Sequence, residues 1–122
     1  MVPLDHGTFR AWLDEYATAW ETGDADTATA LFAPDATYHV TPFAEPLDGQ
    51  DAIRDYWAET TATQEGTECE TTIEALGRDH GLARFHASFV RDGDAVAVDG
   101  CLRARFLAGD CVELREWWHR QG

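Results

Sequence analysis

Proton transfer is the chemistry most open to this chain, which carries five His, three Tyr and 23 Asp plus Glu. An imidazole of pKa about 6.5 moves protons at neutral pH, and a phenol of pKa about 10 can donate to a developing oxyanion. The His and carboxylate residues show no metal-ligand spacing, so no metal is expected. The three cysteines (Cys69, Cys101 and Cys111) are odd in number and lack a CxxC pair, which argues against a disulfide scaffold. No HExxH, phosphate-binding loop, GxGxxG or GxSxG is present. Any reaction is therefore expected to run without a cofactor.

The elements that must position these groups follow from periodicity. Phe9, Trp12, Leu13, Tyr16, Ala17 and Trp20 recur at helical spacing, and Gly23 supplies a stop. Asp24 can cap a second short helix carrying Ala28, Leu31 and Phe32, which Pro34 ends. Residues 36–43 read as a strand, AEPLDGQ as a loop, and 50–64 as a third helix burying Ala52, Ile53, Tyr56 and Trp57.

After Gly66 the period changes to two. Cys69, Thr71, Ile73 and Ala75 alternate with Glu68, Glu70, Thr72 and Glu74 in a half-solvated strand. A turn at 78–81, Asp92-Gly93 and a turn at 108–110 then separate strands at 82–91, 95–107 and 111–119. The order α-α-β-α-β-β-β-β predicts an α+β fold, with helices on the concave face of a curved antiparallel sheet. Its 122 residues fit a single domain, 1–122.

Nine Arg and no Lys face the 23 acids, for a formal net charge of -14. Such a surface repels phosphates, which speaks against nucleic acid and anionic membranes as partners. The N-terminal MVPLDHGTF has no signal-peptide pattern, and no apolar run reaches membrane-spanning length. The expectation is a cytoplasmic protein.

Three segments together carry a resemblance: YATAWETGDADTATALFAPDATYHV, EPLDGQDAIRDYW and GCLRARF followed by ELREWWH. From about Phe9 to His119 the chain resembles the NTF2-like superfamily, in its SnoaL-like bacterial branch. The resemblance implies a cone-shaped α+β barrel with a blind apolar pocket, commonly in a homodimer. Relatives include ketosteroid isomerase, polyketide cyclases and non-catalytic binding domains, so function must come from the site.

Laid against ketosteroid isomerase, the chain places Trp12, Tyr16, Trp20, Phe32, Tyr38, Val40, Tyr56 and Trp57 along the pocket. Phe85 and Phe89, Gly100 and Leu102, then Arg115, Trp117 and His119 follow from the later strands. Gly100 facing inward would leave room for a ligand. Tyr16 stands where that enzyme carries its oxyanion tyrosine, and His119 where SnoaL-like cyclases place an acid or base. Each has a plainer reading, Tyr16 as a satisfied core phenol and His119 as a solvated terminal residue. Arg115 is compatible with either face, since a one-residue slip reverses a strand. Turned inward, it would need Glu113, Glu116 or an anionic ligand as partner. His39 and His86 fall on the outer face, and Cys101 and Val96 are taken as apolar outward residues for a homodimer.

The chain departs from the enzymes at decisive points. Ketosteroid isomerase needs a base and a second acid where this sequence has Val40 and Leu102. The expected ligand is a small hydrophobic, ring-bearing molecule. Three readings stay open: an isomerase-, cyclase- or dehydratase-like enzyme using Tyr16 and His119, a non-catalytic binder, and a dimerisation module with a filled core.

Overall fold

The computed structural model describes residues 3–122. Three helices, α1 (His6–Thr22), α2 (Ala25–Thr29) and α3 (Gly49–Ala62), accompany six strands. The strands are β1 (Phe32–His39), β2 (Leu47–Asp48), β3 (Glu65–Leu76), β4 (His80–Arg91), β5 (Asp94–Leu107) and β6 (Asp110–Gln121).

Local chemistry sets the helix ends. The Asp5 carboxylate accepts from the Thr8 N–H at 2.7 Å, capping α1. Gly23 ends that helix in the left-handed region at φ 67°, where a side chain would be strained. Asp24 then caps α2 through the Thr27 N–H at 3.0 Å. The buried side of α1 has Phe9, Trp12, Leu13 and Tyr16, as the spacing predicts, together with Ala19, while Ala17 and Trp20 are half-buried.

The strands form one curved sheet in the order β2-β1-β6-β5-β4-β3. It is mixed rather than wholly antiparallel, because β1 and β6 run parallel while every other neighbouring pair is antiparallel. The meander of the last four strands brings β6 back beside the first strand in the same direction.

Two local expectations need correcting. The second helix stops at Thr29, so Leu31 and Phe32 do not ride on it, and β1 begins at Phe32 rather than Ala36. Pro34 sits inside this strand where its register against β6 shifts, between Phe32 and Thr37. A residue without an N–H is tolerated at such an irregularity. The short β2, inside the expected loop, pairs with Thr37 and Tyr38.

The core lies between helices and sheet. Trp12 is its hinge: it stacks on Tyr16 at 5.7 Å, meets Phe32 and Phe106 edge-on, and donates its Nε1–H to the Leu31 carbonyl at 3.1 Å. Val96, expected to face outward, is 4 % exposed, because it pairs across the ladder with inward Phe89. No helix among the described residues is long and apolar enough to cross a membrane.

Candidate functional site

Cross-strand partners in an antiparallel ladder point to the same face, so the pairing of β5 with β6 decides what enters the cone. Leu102 pairs with Glu116, Gly100 with Trp118 and Val98 with Arg120. The inward row of β6 is therefore Leu114, Glu116, Trp118 and Arg120. Arg115, Trp117 and His119 pair with Arg103, Cys101 and Asp99 on the opposite face.

This reverses the expected facing of Trp117 and His119 and places Arg115, compatible with either face, on the outer one. Trp117 is 41 % exposed and His119 is exposed as well. Arg115 lies beside Glu113, its Nε 3.4 Å from Oε1, and Arg103 reaches the same oxygen at 3.0 Å. Burial pushes the Glu113 carboxyl up, but the two guanidiniums outweigh it and hold the group below its ordinary range. Neither His119 nor Arg115 enters the cone.

A cavity of about 140 Å³ opens between α1, α3 and the concave sheet. Tyr16 and Trp20 line it from α1, Tyr38 from β1, Tyr56 and Trp57 from α3, and Phe85 and Phe89 from β4. Val98, Trp118 and the inward carboxylate of Glu116 complete the wall, and Thr60, Thr61, Gln64, Arg91 and Arg120 add polar groups. Trp12, Phe32, Val40, Gly100 and Leu102 do not line it. Trp12, Phe32 and Leu102 are packed into the core, and Val40 is half-buried, its carbonyl accepting from Trp118 Nε1 at 2.8 Å.

Gly100 serves a different need from the one its position suggested. A Cβ there would stand 2.2 Å from the Trp117 carbonyl oxygen and 2.6 Å from the Trp118 Cβ. The close approach it permits is that of β6 carrying Trp118, and no space is left beside it for a ligand.

The centre of the site is Glu116, 5 % exposed. Its Oε2 accepts from the Tyr16 hydroxyl at 2.6 Å and its Oε1 from the Tyr38 hydroxyl at 2.8 Å. Burial disfavours the charged form and outweighs both phenol hydrogen bonds, so the carboxyl rises from 4.5 to about 7. Burial, with the charge of Glu116 adding to it, pushes both phenols well above 10, so they remain protonated donors. The Tyr16 hydroxyl is thus committed to a carboxylate rather than pointing freely at a ligand.

Two buried donors have no hydrogen-bond partner among the described residues, Arg115 Nε on the outer face and Trp57 Nε1 in the cavity wall. Trp12, Trp20 and Trp118 direct their indole N–H groups to Leu31 O, Gln64 Oε1 and Val40 O. Trp57, in the cavity wall and 4 % exposed, has Nε1 buried with no hydrogen-bond acceptor among the described residues. No group of three or more His, Cys, Asp or Glu among the described residues is placed to hold a metal ion.

Glu116 is the residue that sequence reasoning passed over, weighing it only as a partner for Arg115. Two phenols sharing a face with no acceptor of their own were the available signal. A hypothetical protein from Catenulispora acidiphila with a ketosteroid isomerase-like fold, solved in complex with trimethylamine, superposes with a TM-score of 0.77 at 20% identity, over 87% of this chain and 83% of that one. The epoxide hydrolase/cyclase-like enzyme SalBIII, of pyran ring formation in the polyether salinomycin, superposes at 0.80 with 18% identity, over 94% and 93%. Both likenesses establish the NTF2-like cone fold. The SnoaL-like domain matches residues 13–114, ending two positions before Glu116. That match spans most of the chain, and the protein belongs to the SnoaL-like family.

Proposed function

We propose that the protein binds a small ring-bearing molecule in the aromatic cavity and moves a proton on it, with Glu116 as the acid–base group. The observation that carries this reading is the buried Glu116 carboxyl, fixed by Tyr16 and Tyr38 on the wall of an apolar cavity. A carboxyl of pKa about 7 is divided between its two forms at neutral pH, the condition under which one group both takes and returns a proton. In its charged form Glu116 would remove a proton from a carbon or hydroxyl of the ligand. In its neutral form it would return that proton at a second position, so the balance of an isomerisation or ring closure needs no co-reactant. Tyr16 and Tyr38 are positioning residues, each holding one oxygen of the carboxylate.

Size limits the ligand. A dry apolar cavity of about 150 Å³ admits a benzene-sized molecule, and this one, at about 140 Å³, accommodates one ring. A polycyclic ligand would have to leave its remaining rings outside. The buried, unpaired Trp57 Nε1 supports a ligand that brings a hydrogen-bond acceptor, since an unmatched buried donor costs about 1–3 kcal/mol.

The test is proton exchange. Monocyclic enones and ketones are screened by tryptophan quenching, and those that bind are followed for α-deuterium exchange by NMR. Exchange catalysed by the wild type and lost in Glu116→Gln, with binding retained, supports the reading. Equal exchange in both proteins removes Glu116 from the chemistry.

A further inference from the structure

The cavity is apolar within, yet two of its lining residues are arginines, in a protein whose overall charge is -14. Arg91 closes the inward row Phe85, Ala87, Phe89 of β4, and Arg120 closes the row Glu116, Trp118 of β6. Both guanidinium-bearing residues line the cavity.

Among the described residues neither forms an ion pair with an Asp or Glu side chain. Arg10, Arg54, Arg84, Arg103 and Arg115 each stand within 4.0 Å of a carboxylate oxygen. Among the described residues Arg91 and Arg120 have no such partner, although Asp94 is the cross-strand neighbour of Arg91. Arg91 instead donates from Nε to Thr63 Oγ1 at 3.2 Å and lies 5.2 Å from the centre of the Phe89 ring. Arg120 donates from Nε to the main-chain oxygen of Gly122, the last residue of the sequence, at 3.4 Å. These contacts orient the guanidiniums, and that of Arg91 involves no charged acceptor. That charge is felt inside: burial first, then Glu116, drives the Tyr56 phenol up to about 12, while Arg91 acts in the opposite sense.

We infer that the ligand is amphipathic and anionic, its ring among the aromatic walls near Glu116 and a carboxylate or similar group at the Arg91 and Arg120 end. This deepens the proposed function and rests on the cavity being a binding site. Four residues of strand separate Glu116 from Arg120, roughly 13 Å of backbone. An arginine on its long, flexible stem can cover part of that span, so a ring with a two- or three-atom acidic tail is the matching size. Arginine suits the task, because its planar fork takes a carboxylate in two parallel hydrogen bonds. The net charge of the protein opposes any anion at long range, but that field is screened beyond about 8 Å in physiological salt. An anion preference would therefore have to be local.

Three probes of one shape separate the possibilities: 3-phenylpropionate, its amide, and 3-phenylpropylamine. Each is titrated by tryptophan quenching and calorimetry at 0.15 M salt into wild type, Arg91→Gln, Arg120→Gln and the double variant. The inference expects the carboxylate to bind at least tenfold tighter than the amide and the amine weakest. The double variant should lose that preference while keeping the amide affinity, which also shows the cavity to be intact. Equal affinity for carboxylate and amide, tighter binding of the amine, or a preference that survives in the double variant overturns the charge assignment and leaves the cavity reading standing. Failure of all three probes to bind overturns both.

Discussion

The Tyr16 hydroxyl on α1 meets Oε2 of Glu116 on β6 at 2.6 Å, joining residues 100 positions apart. With Tyr38 on the other oxygen, the carboxylate is bound in two places and almost wholly buried. The hydrogen bonds favour the charged form and desolvation favours the neutral one, and desolvation is the larger.

Stability should record that imbalance. A carboxyl raised from 4.5 to about 7 binds its proton more tightly in the folded state. The penalty is absent below the unfolded value, grows between the two, and is complete above the folded one, at roughly 3 kcal/mol. Glu116→Gln stays neutral and can still pair with both phenols. Urea unfolding should find the variant roughly 1–3 kcal/mol more stable at pH 8 and nearly equal at pH 4.5. Parallel stability curves for the two proteins would contradict the assignment.

Removing a phenol should move the titration in a known direction. Each hydroxyl stabilises the carboxylate, so Tyr16→Phe or Tyr38→Phe raises the Glu116 pKa further. The pH–rate profile for proton exchange should rise through about 7 in the wild type. Its inflection should shift upward by up to about one unit in either variant. An inflection that stays in place would mean that another group titrates.

His119 sits on the outer face, opposite Asp99. His119→Ala should therefore leave exchange rates within about twofold of wild type. A loss of an order of magnitude would restore it to the mechanism.

Gly100→Ala should be strongly destabilising, because the new methyl meets backbone and a tryptophan Cβ inside contact distance. Thermal and urea melts should show a loss of about 2 kcal/mol or more. A stability change below about 0.5 kcal/mol would show that β6 yields easily at Trp118.

Trp57→Phe keeps an aromatic wall and deletes the unmatched donor. Folding stability should hold or improve slightly, while affinity for an acceptor-bearing ligand falls about five- to tenfold. Unchanged affinity would place the Trp57 N–H outside the ligand's reach.

The helices and hairpins were legible because their signals are local. The α1 stripe, the Asp24 cap, and Gly residues at Gly23, Gly93 and Gly109 each act within a few positions of themselves. The facing of β6 was not local. Its two rows, Glu113-Arg115-Trp117-His119 and Leu114-Glu116-Trp118-Arg120, each offer one Trp and a mixture of charges, so alternation alone does not choose between them. The choice is made across the sheet, where Leu102 and Ala104 require Glu116 and Leu114 as neighbours, and by a register shift between Arg105 and Phe106. With Glu116 placed outward, Tyr16 and Tyr38 lack the carboxyl that they in fact meet, and His119 stands as the apparent proton carrier.

The sheet does not close, and β3, 12 residues long, runs along its outer margin with no strand beyond it among the described residues. Such a border is a template for pairing with another chain, and charge is a common deterrent. Glu65, Glu68, Glu70 and Glu74 stud this one with exposed acids. The acidity that says little about the reaction thus acts as a guard against fibre-like stacking, a guard that weakens as these carboxylates take up protons in acid.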